Sequence, residues 1–522
     1  MKKLPGIFND VIGPVMRGPS SSHTAASWRI AGIALDILNE PLKKALAEFD
    51  SNGAWAPNYR EQGTTMGIDG GLLGLDITDE KMKDAGSYAR QQEIIIEYRI
   101  SSFPTDHANT VRLTLWGISQ KKIQIIAVSL GGGSFEIRSV NGFPVQLNGD
   151  LYGILIFTKN KPDISDELKT IIPHGVEFSS DQKGDLIKYE FKSSHPFSAE
   201  LITRLQNHQV IDEIATINPI MPVIAGRQTE MPFTTIQSLI GYAGEKGADL
   251  GKMGLIYEKC ISGLSEEELN TKMKEIIRII HKSIDTGLRG THYADRILQQ
   301  QSHLIGEAEK KGKIEDSLVN RIIANVSALM ESKSAMEVVV AAPTAGSCGT
   351  LGGSLRAIAE NRGSTVDELI KAYFAAGIVG AYFAQGPGFS AEEHGCQVEC
   401  GAASGMTAAG IVQLMGGTAK QALDASSMAI QNMIGLVCDP VGDRVEVPCL
   451  GKNISAAVNA YSSAIMAVAG FDAVIPLDQV IETVARVSQT MPTCVKCTGK
   501  GGLAITETAL KIKDKLKESS VS

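Results

Sequence analysis

Apolar residues recur with helical spacing through most of the second half of the chain. From residue 266 to residue 284 they repeat at i, i+3, i+4 and i+7. Ser265 precedes this run and Glu268 lies three positions later, a pairing that predicts a capping box at the start of a long helix. Residues 366–383, 408–415 and 422–433 predict three further helices, rich in alanine. We expect this half of the chain to be a helical bundle without a β-sheet.

The first part of the chain follows a different pattern. A helical run at residues 25–38 comes after a loop rich in glycine, proline and serine. Strand-like runs then alternate with turns at residues 45–53, 63–74, 94–100, 111–116 and 123–133. This mixture predicts an α+β domain over residues 1–148.

A smaller unit follows at residues 149–222. Its pattern reads strand, helix, strand, helix, strand, at residues 152–157, 164–172, 185–191, 199–207 and 211–217. This order resembles a small α/β regulatory module of the ACT type; the alternative is a purely structural linking domain. A proline-containing connector at residues 222–235 marks a boundary, and the remainder, residues 232–522, is predicted to be all α-helical.

Composition narrows the possible partners. The formal net charge is −8 and no long run of lysine and arginine occurs, so we expect neither nucleic acid nor an anionic membrane as a partner. The first ten residues lack the apolar core of a signal peptide, and the apolar segment 454–475 is interrupted by Asn459 and Asp472. We therefore expect a cytoplasmic protein without a membrane span. Eight cysteines in such a chain favour metal binding or catalysis over disulfides.

Three cysteines stand beside residues that stop helices. Gly395 precedes Cys396, while Pro440 and Pro448 flank Cys438 and Cys449, so the thiols are expected at the ends of elements, where they could share a metal. Three thiolates on a cubane cluster would leave one iron without a protein ligand, and such an iron is a Lewis acid. The alternative is three buried, reduced cysteines, which the spacing alone favours because it is unlike C-x2-C-x2-C.

The loop G-P-S-S-S-H-T, residues 18–24, opens the first predicted helix. Free backbone N–H groups at a helix start, together with the positive end of the helix dipole, suit a bound carboxylate. The alternative is ordinary N-capping by Ser22 or Thr24.

Several motifs together resemble the iron–sulfur-dependent L-serine dehydratases. V-V-A-A-P-T-A-G-S, G-C-Q-V-E, G-L-V-C-D-P-V, V-E-V-P-C followed by Asn453, and G-G-L-A at residues 501–504 are similar to the catalytic, alpha-type domain of that family. The loop at residues 18–24, H-A-N-T at residues 107–110 and S-L-G-G-G at residues 129–133 resemble its beta-type domain. The resemblance implies a single-chain form with both domains: beta-type at residues 1–148 and alpha-type at residues 232–522.

This resemblance also implies an activity and a site. The expected reaction removes water from L-serine and yields pyruvate and ammonia, as a step of amino-acid degradation. The resemblance also implies a homodimer. By motif, Cys396, Cys438 and Cys449 would hold a 4Fe-4S cluster. The residues expected to bind substrate are Ser20, Ser21, Ser22, His23, Thr24, Thr344, Ser347 and Asn453. The base is left open among His23, a serine of the Ser20 to Ser22 run such as Ser22, and Lys500.

The resemblance fails at one informative place. Residues 61–65 read E-Q-G-T-T, where the family usually has Gly-His-Gly-Thr-Asp, so Gln62 and Thr65 replace two ionisable residues. Neither can act as a general acid or base near neutral pH. Another β-hydroxy or β-thiol amino acid is therefore an alternative substrate, and a non-catalytic iron–sulfur or amino-acid sensor is an alternative function. The segment at residues 55–60 also departs from the family and is predicted to reshape a pocket wall.

The remaining cysteines and a histidine stay open. Cys348 and Cys400 lie inside the motifs and are either bystanders or spare metal ligands. Cys494 and Cys497 form a C-x-x-C pair that lacks the second pair of a zinc site, so we interpret them as ordinary thiols near the pocket. His394 could orient a metal ligand through a hydrogen bond.

Overall fold

The computed structural model of the chain describes residues 4–225, 229–294 and 296–519. Its strands are β1 (Val15–Arg17), β2 (Leu42–Asp50), β3 (Ile95–Ser101), β4 (Thr110–Gly117), β5 (Lys122–Gly131), β6 (Ser134–Val140), β7 (Phe143–Leu147), β8 (Tyr152–Lys159), β9 (Glu177–Lys183), β10 (Leu186–Ser193), β11 (Glu213–Ile217) and β12 (Val338–Val340).

The helices are α1 (Ala26–Leu38), α2 (Thr64–Leu72), α3 (Ala85–Gln91), α4 (Ser165–Ile171), α5 (Ala199–Gln206), α6 (Ile236–Lys246), α7 (Leu250–Ser262), α8 (Glu266–Arg289), α9 (Ser302–Lys310), α10 (Leu318–Ser334), α11 (Cys348–Arg362), α12 (Val366–Gln385), α13 (Ala391–His394), α14 (Cys400–Leu414), α15 (Ala419–Gln431), α16 (Cys449–Val468), α17 (Leu477–Thr490) and α18 (Glu507–Ser519). None of the helices in these described ranges is long and apolar enough to cross a membrane.

The N-terminal region is a six-stranded sheet with helices packed on it. Its strand order is β3-β2-β4-β5-β6-β7, with β2 and β3 parallel and the other neighbours antiparallel. Helix α1 contacts β4, β5 and β6, and its apolar face shares one core with the sheet. The strands predicted at residues 45–53, 94–100, 111–116 and 123–133 are confirmed as β2 to β5.

The run at residues 63–74 is a helix, so the prediction of a strand there is wrong. It forms α2, which packs directly against α1. A Cβ at Gly67 would lie 2.3 Å from the Thr24 carbonyl oxygen, and one at Gly71 would lie 2.5 Å from that of Trp28. The glycines therefore serve close helix packing, because no side chain fits between the two helices at these points.

The middle region has the order β8-α4-β9-β10-α5-β11 and one four-stranded sheet ordered β11-β8-β10-β9. All its neighbouring strands are antiparallel. The predicted order of elements lacked one strand, β9, which lies between α4 and β10. The sequence pattern missed β9 because its residues are mostly polar and exposed. One face of the sheet packs on α4 and α5, and Leu155, Ala215 and Ile217 on the other face join the core of the N-terminal region.

The C-terminal region is predominantly helical. The predicted capping box is confirmed at α8, where the Ser265 hydroxyl accepts from the Glu268 N–H and the Glu268 carboxylate accepts from the Ser265 N–H. The helices predicted at residues 366–383, 408–415 and 422–433 fall within or overlap α12, α14 and α15. Within the connector at residues 222–235, residues 226–228 lie outside the described part.

The prediction of a C-terminal half without β-structure is wrong at one place. Strand β12 pairs antiparallel with β1, with Val15 opposite Val340 and Arg17 opposite Val338. The partner strand comes from the N-terminus, so no local pattern in the second half could reveal the pairing. Because the pairing is antiparallel, Gly18 at the end of β1 lies beside Glu337, and the A-P-T-A-G-S loop that follows β12 starts beside Pro14.

Candidate active site

A buried turn, Ser21–Ala25, precedes α1 and forms one wall of the site. His23 is fully buried, and its Nδ1 lies 3.1 Å from the hydroxyls of both Ser20 and Ser22. Its Nε2 lies 3.0 Å from Asn58 Oδ1. The Ser22 hydroxyl donates to Glu392 Oε1 at 2.9 Å. The turn is thereby joined to α13, which leads directly to Cys396.

These contacts set the protonation of His23. Burial lowers the pKa of His23 below 6.5, against the opposing effects of the Glu392 carboxylate and the Asn58 hydrogen bond. The ring is therefore neutral near pH 7, and Nε2–H donates to Asn58 Oδ1. Nδ1 is then an acceptor. Because Ser22 gives its proton to Glu392, the Ser20 hydroxyl is the group left to donate to Nδ1.

Two other residues of the loop use their side chains to join parts of the site. Ser21 Oγ accepts from the Ala345 N–H at 3.1 Å, which ties the turn to the A-P-T-A-G-S loop. Thr24 Oγ1 donates to the Gln62 carbonyl at 3.3 Å, which ties it to the start of α2. Their expected role in substrate binding stays a prediction, since these side-chain contacts are to the protein.

A second buried acid lies opposite the turn. Thr344 Oγ1 donates to Glu399 Oε1 at 2.7 Å and lies 3.1 Å from Ser347 Oγ. Burial raises the pKa of Glu399 to about 8, and the nearby Cys396 and Glu392 act in the same direction. The carboxyl group therefore carries its proton near neutral pH and can donate it. Sequence analysis missed this residue, although an acid between two cysteines of one motif was an available signal.

The thiols gather at the ends of α13, α14 and the loop before α16. Cys396 Sγ lies 3.5 Å from Cys400 Sγ, and both belong to one buried apolar cluster with Cys438 and Cys497. The backbone pairs the last two: the Cys438 N–H donates to the Val495 carbonyl at 2.8 Å, and the Cys497 N–H donates to the Cys438 carbonyl at 2.9 Å. Cys494, in contrast, is exposed.

The thiols differ in acidity. Hydrogen bonds from Cys400 and Cys438 lower the pKa of Cys396, and the Lys452 ammonium acts in the same direction. Lys452 is itself fixed by hydrogen bonds of 2.6 Å to Asp439 Oδ1 and to the Val437 carbonyl. Burial instead raises the pKa of Cys449 to about 12. Cys396 is therefore more acidic than Cys449.

The donor set suits a cluster better than a single ion. In residues 4–225, 229–294 and 296–519, no group of three or more histidine, cysteine, aspartate or glutamate side chains is placed to hold one metal ion. Buried thiols beside a lysine are, however, the donors and the charge compensation that an iron–sulfur cluster requires. The chemistry of the residues present fits such a group.

Asn453 joins two of the motif loops. Its Nδ2 donates to the Gly346 carbonyl at 2.8 Å and to the Cys449 carbonyl at 2.9 Å, and its Oδ1 accepts from the Thr350 N–H at 3.1 Å. The A-P-T-A-G-S loop and the Cys449 end of α16 are therefore fixed relative to each other.

A comparison with protein-family models identifies the family of this chain. A family model described as serine dehydratase alpha chain matches residues 166–504. The chain belongs to this family. The residues that match the serine dehydratase model include the buried thiols described above, Glu392 and Glu399. The Ser21–Ala25 turn lies before the matched residues.

Individual relatives cover both kinds of family chain. The probable L-serine dehydratase alpha chain of Bacillus subtilis is 34% identical over 285 residues, 54% of this chain and 95% of that protein. The L-serine dehydratase alpha chain of Peptoniphilus asaccharolyticus is 34% identical over 290 residues, 54% of this chain and 98% of that protein. The probable beta chain of the Bacillus subtilis enzyme is 38% identical over 161 residues, 30% of this chain and 70% of that protein. One polypeptide is thus similar to both serine dehydratase chains.

Two predicted residues stand apart from the group. Lys500 is exposed, and no described contact joins its ammonium to His23 or to the thiols, so its role as a base stays a prediction without geometric support. His394 is half-buried, and its Nε2 lies 3.8 Å from Glu393 rather than against a thiol. Burial lowers its pKa, and its Nδ1 has no hydrogen-bond partner among the described residues.

Several buried polar atoms of the N-terminal region also have no partner within the described ranges. They are Trp55 Nε1, both amide atoms of Asn109 and Ser129 Oγ. The Ser129 N–H donates to the Asn109 carbonyl at 3.0 Å, and β5, which carries Ser129, packs against the Ser21–Ala25 turn. The Trp55 ring lies 5.7 Å from that of His23. These atoms would suit a small polar ligand or water.

Proposed function

We propose that this chain is an L-serine ammonia-lyase that holds a 4Fe-4S cluster on Cys396, Cys438 and Cys449 and releases pyruvate and ammonia. The printed names of its relatives support the substrate and the reaction. The observation that carries the proposal is the hydrogen bond from Ser22 to Glu392. It brings a loop suited to a carboxylate next to the helix that ends at the thiols.

When bound, the cluster would supply a Lewis-acidic iron for the departing hydroxyl group. The chain's own residues have separate tasks. The N–H groups at the start of the Ser21–Ala25 turn suit the substrate carboxylate. His23 Nδ1, neutral and hydrogen-bonded to Ser20, can take a proton through that hydroxyl. Glu399 holds a proton near pH 7 and can give it to a leaving oxygen.

A second candidate keeps the chemistry and changes the substrate to another β-hydroxy or β-thiol amino acid. The observation in its favour is Gln62, which is buried, donates from Nε2 to the Asp443 carbonyl at 3.3 Å and hydrogen-bonds to Cys497. An amide replaces an ionisable family residue here, directly beside the thiol group. Ammonia release from a panel of such amino acids, ranked by kcat/KM, separates the two candidates.

The test of the first candidate is turnover by protein kept free of oxygen. We expect the enzyme to convert L-serine into equal amounts of pyruvate and ammonia. Ammonia from another amino acid, without turnover of L-serine, would favour the second candidate. A bound amino acid without turnover of any substrate would contradict both and would favour a sensor.

We further propose that the domains span residues 1–148, 149–222 and 232–522, and that the middle one is an ACT-like regulatory module. Its βαββαβ order and its sheet order β11-β8-β10-β9 support a ferredoxin-like arrangement. The family resemblance leads us to propose a cytoplasmic homodimer. Light scattering of the purified chain tests the dimer, and a single-chain mass would contradict it.

A further inference from the structure

Lys333 stands where two loops of the site meet. It lies in the last turn of α10, is fully buried, and donates from Nζ to the carbonyl of Val445, in the loop between Cys438 and Cys449. Its own carbonyl packs against Gly18, where a Cβ would lie only 1.9 Å from that oxygen. Lys333 therefore contacts the loop at residues 18–24 through its backbone and the loop between Cys438 and Cys449 through its ammonium.

The buried charge of Lys333 lacks a counter-ion. No carboxylate of the described residues forms an ion pair with its ammonium, and the Val445 carbonyl uses one of three N–H donors. Lys188, another fully buried lysine, contrasts with it: its Nζ lies 2.8 Å from Asp181 and 3.2 Å from Glu190. Burying an unpaired ammonium is costly, so an anion from outside the protein chain is expected beside Lys333.

The ionisable groups around Lys333 do not supply that anion. Glu399, Cys348 and Cys449 lie near enough to interact with the charge of Lys333, but within the described residues no hydrogen bond or ion pair joins any of them to its ammonium. The surroundings of the ammonium are therefore two thiols and the Thr344–Glu399 pair.

We propose that Lys333 binds the carboxylate of the amino-acid substrate through the N–H groups that Val445 leaves free. The inference rests on the proposed function and adds a specificity-determining residue to it. The Lys333 backbone lies against Gly18, so the side chain starts beside the loop at residues 18–24 and its ammonium ends at Val445. A carboxylate held by the ammonium would therefore lie between that loop and the loop from Cys438 to Cys449. A carboxylate is also the anion that every candidate substrate shares.

The test compares two ligands that differ only in this group. L-serine carries the carboxylate, and L-serinamide keeps the amine and the hydroxyl but replaces the carboxylate by a neutral amide. Binding to the oxygen-free holoenzyme is measured by calorimetry. We expect the wild-type protein to prefer L-serine by about 10- to 100-fold, the range of a hydrogen bond to a charged group. Lys333→Met should lose that preference and leave the affinity for L-serinamide unchanged.

Two further variants keep the test decisive. Lys333→Arg preserves the charge and should retain part of the preference for L-serine over L-serinamide. It takes the place of Lys333→Met in the comparison if the methionine variant fails to fold. Lys188→Met removes an equally buried lysine far from the thiols and should leave both affinities unchanged. The proposal is overturned if wild type binds both ligands equally, or if Lys333→Met weakens both by the same factor.

One rival role has its own signature. If Lys333 only balances the charge of the cluster, Lys333→Met will shift the cluster's reduction potential and keep the preference for L-serine, which overturns the proposal. If the wild-type protein and Lys333→Met bind L-serine equally well, only the role of Lys333 is refuted. A wild-type protein that binds no L-serine refutes the proposed function as well.

Discussion

Ser22 donates a hydrogen bond of 2.9 Å to Glu392, although 370 positions separate them in the sequence. The second oxygen of the same carboxylate accepts from the Ser390 hydroxyl at 3.0 Å, so both oxygens of Glu392 are held. This contact joins the serine-rich turn before α1 to the short helix before Cys396. The N-terminal region, which holds the serine-rich turn, and the region that matches the serine dehydratase alpha chain therefore share one buried site.

Replacing Glu392 should change the acidity of His23. Glu392 Oε1 lies 3.8 Å from His23 Nδ1 and raises its pKa against the larger effect of burial. In Glu392→Gln the amide oxygen can still accept from Ser22, but the charge is gone, so the pKa of His23 falls further below 6.5. Nuclear magnetic resonance of labelled histidines measures it. Glu393→Gln is the control, because Glu393 lies by His107 instead, and an unchanged or higher pKa in Glu392→Gln would refute the role.

Removing any of the three motif thiols should remove the cluster. We expect the wild-type protein to hold about four irons and four sulfides per chain, and Cys396→Ser, Cys438→Ser and Cys449→Ser to hold less than about one iron. Turnover should fall by at least about 100-fold. Iron and sulfide analysis after reconstitution measures the content. Cys494→Ser, at an exposed cysteine, should keep wild-type content; equal losses in this control would show that the effect is not specific to the site.

Asn453→Ala should destabilise the protein. The change leaves the Thr350 N–H and the Gly346 carbonyl without their partner in a buried place. Each buried group that loses its hydrogen bond costs about 1–3 kcal/mol, so the free energy of unfolding should fall by roughly 2–6 kcal/mol. Urea denaturation measures the loss. Ser462→Ala, on the exposed side of the same helix, should change stability by less than about 0.5 kcal/mol.

Glu258 should make stability fall as the pH rises. It is fully buried on α7, accepts from the Ile7 N–H at 2.5 Å, and burial raises its pKa from 4.5 to about 8, with Asp10 adding to the effect. Between these values the folded chain holds a proton that the unfolded chain has lost. This contribution is complete below pH 4.5 and is lost as the pH rises through 8.

Glu258→Gln cannot ionise and should remove that dependence. We expect its melting temperature to exceed that of the wild type at alkaline pH and to match it at acid pH. Each pKa unit corresponds to about 1.4 kcal/mol, so the difference can reach several kcal/mol. Glu267→Gln, at an exposed position on α8, should behave as wild type at both. A wild-type profile in Glu258→Gln would contradict the assignment.

Sequence patterns predicted the elements well where the local signal was complete. Ser265 and Glu268 specify the start of α8 by themselves, and alternating apolar runs specify β2 to β5. The pattern failed at α2 because the glycines that read as a turn-rich strand are spaced to let two helices touch. It failed at β12 because the partner strand β1 lies at the other end of the chain.

The candidate site was only partly predictable, for a similar reason. The cysteines and the serine-rich loop belong to motifs, so they could be named from sequence. Lys333 and Asn58 have no such pattern: a lysine in a helix normally faces solvent, and only the fold shows that this one is buried. Asn58 lies in the segment predicted to reshape a pocket wall, and its contact with His23 depends on how that segment folds.

The most direct test of the account is the electron paramagnetic resonance spectrum of the protein prepared without oxygen, recorded before and after adding L-serine. The account predicts the signal of a 4Fe-4S cluster in the reduced protein and a change in that signal when L-serine binds. A protein that contains no iron or sulfide after reconstitution, or a cluster signal that L-serine leaves unchanged during turnover, would contradict it.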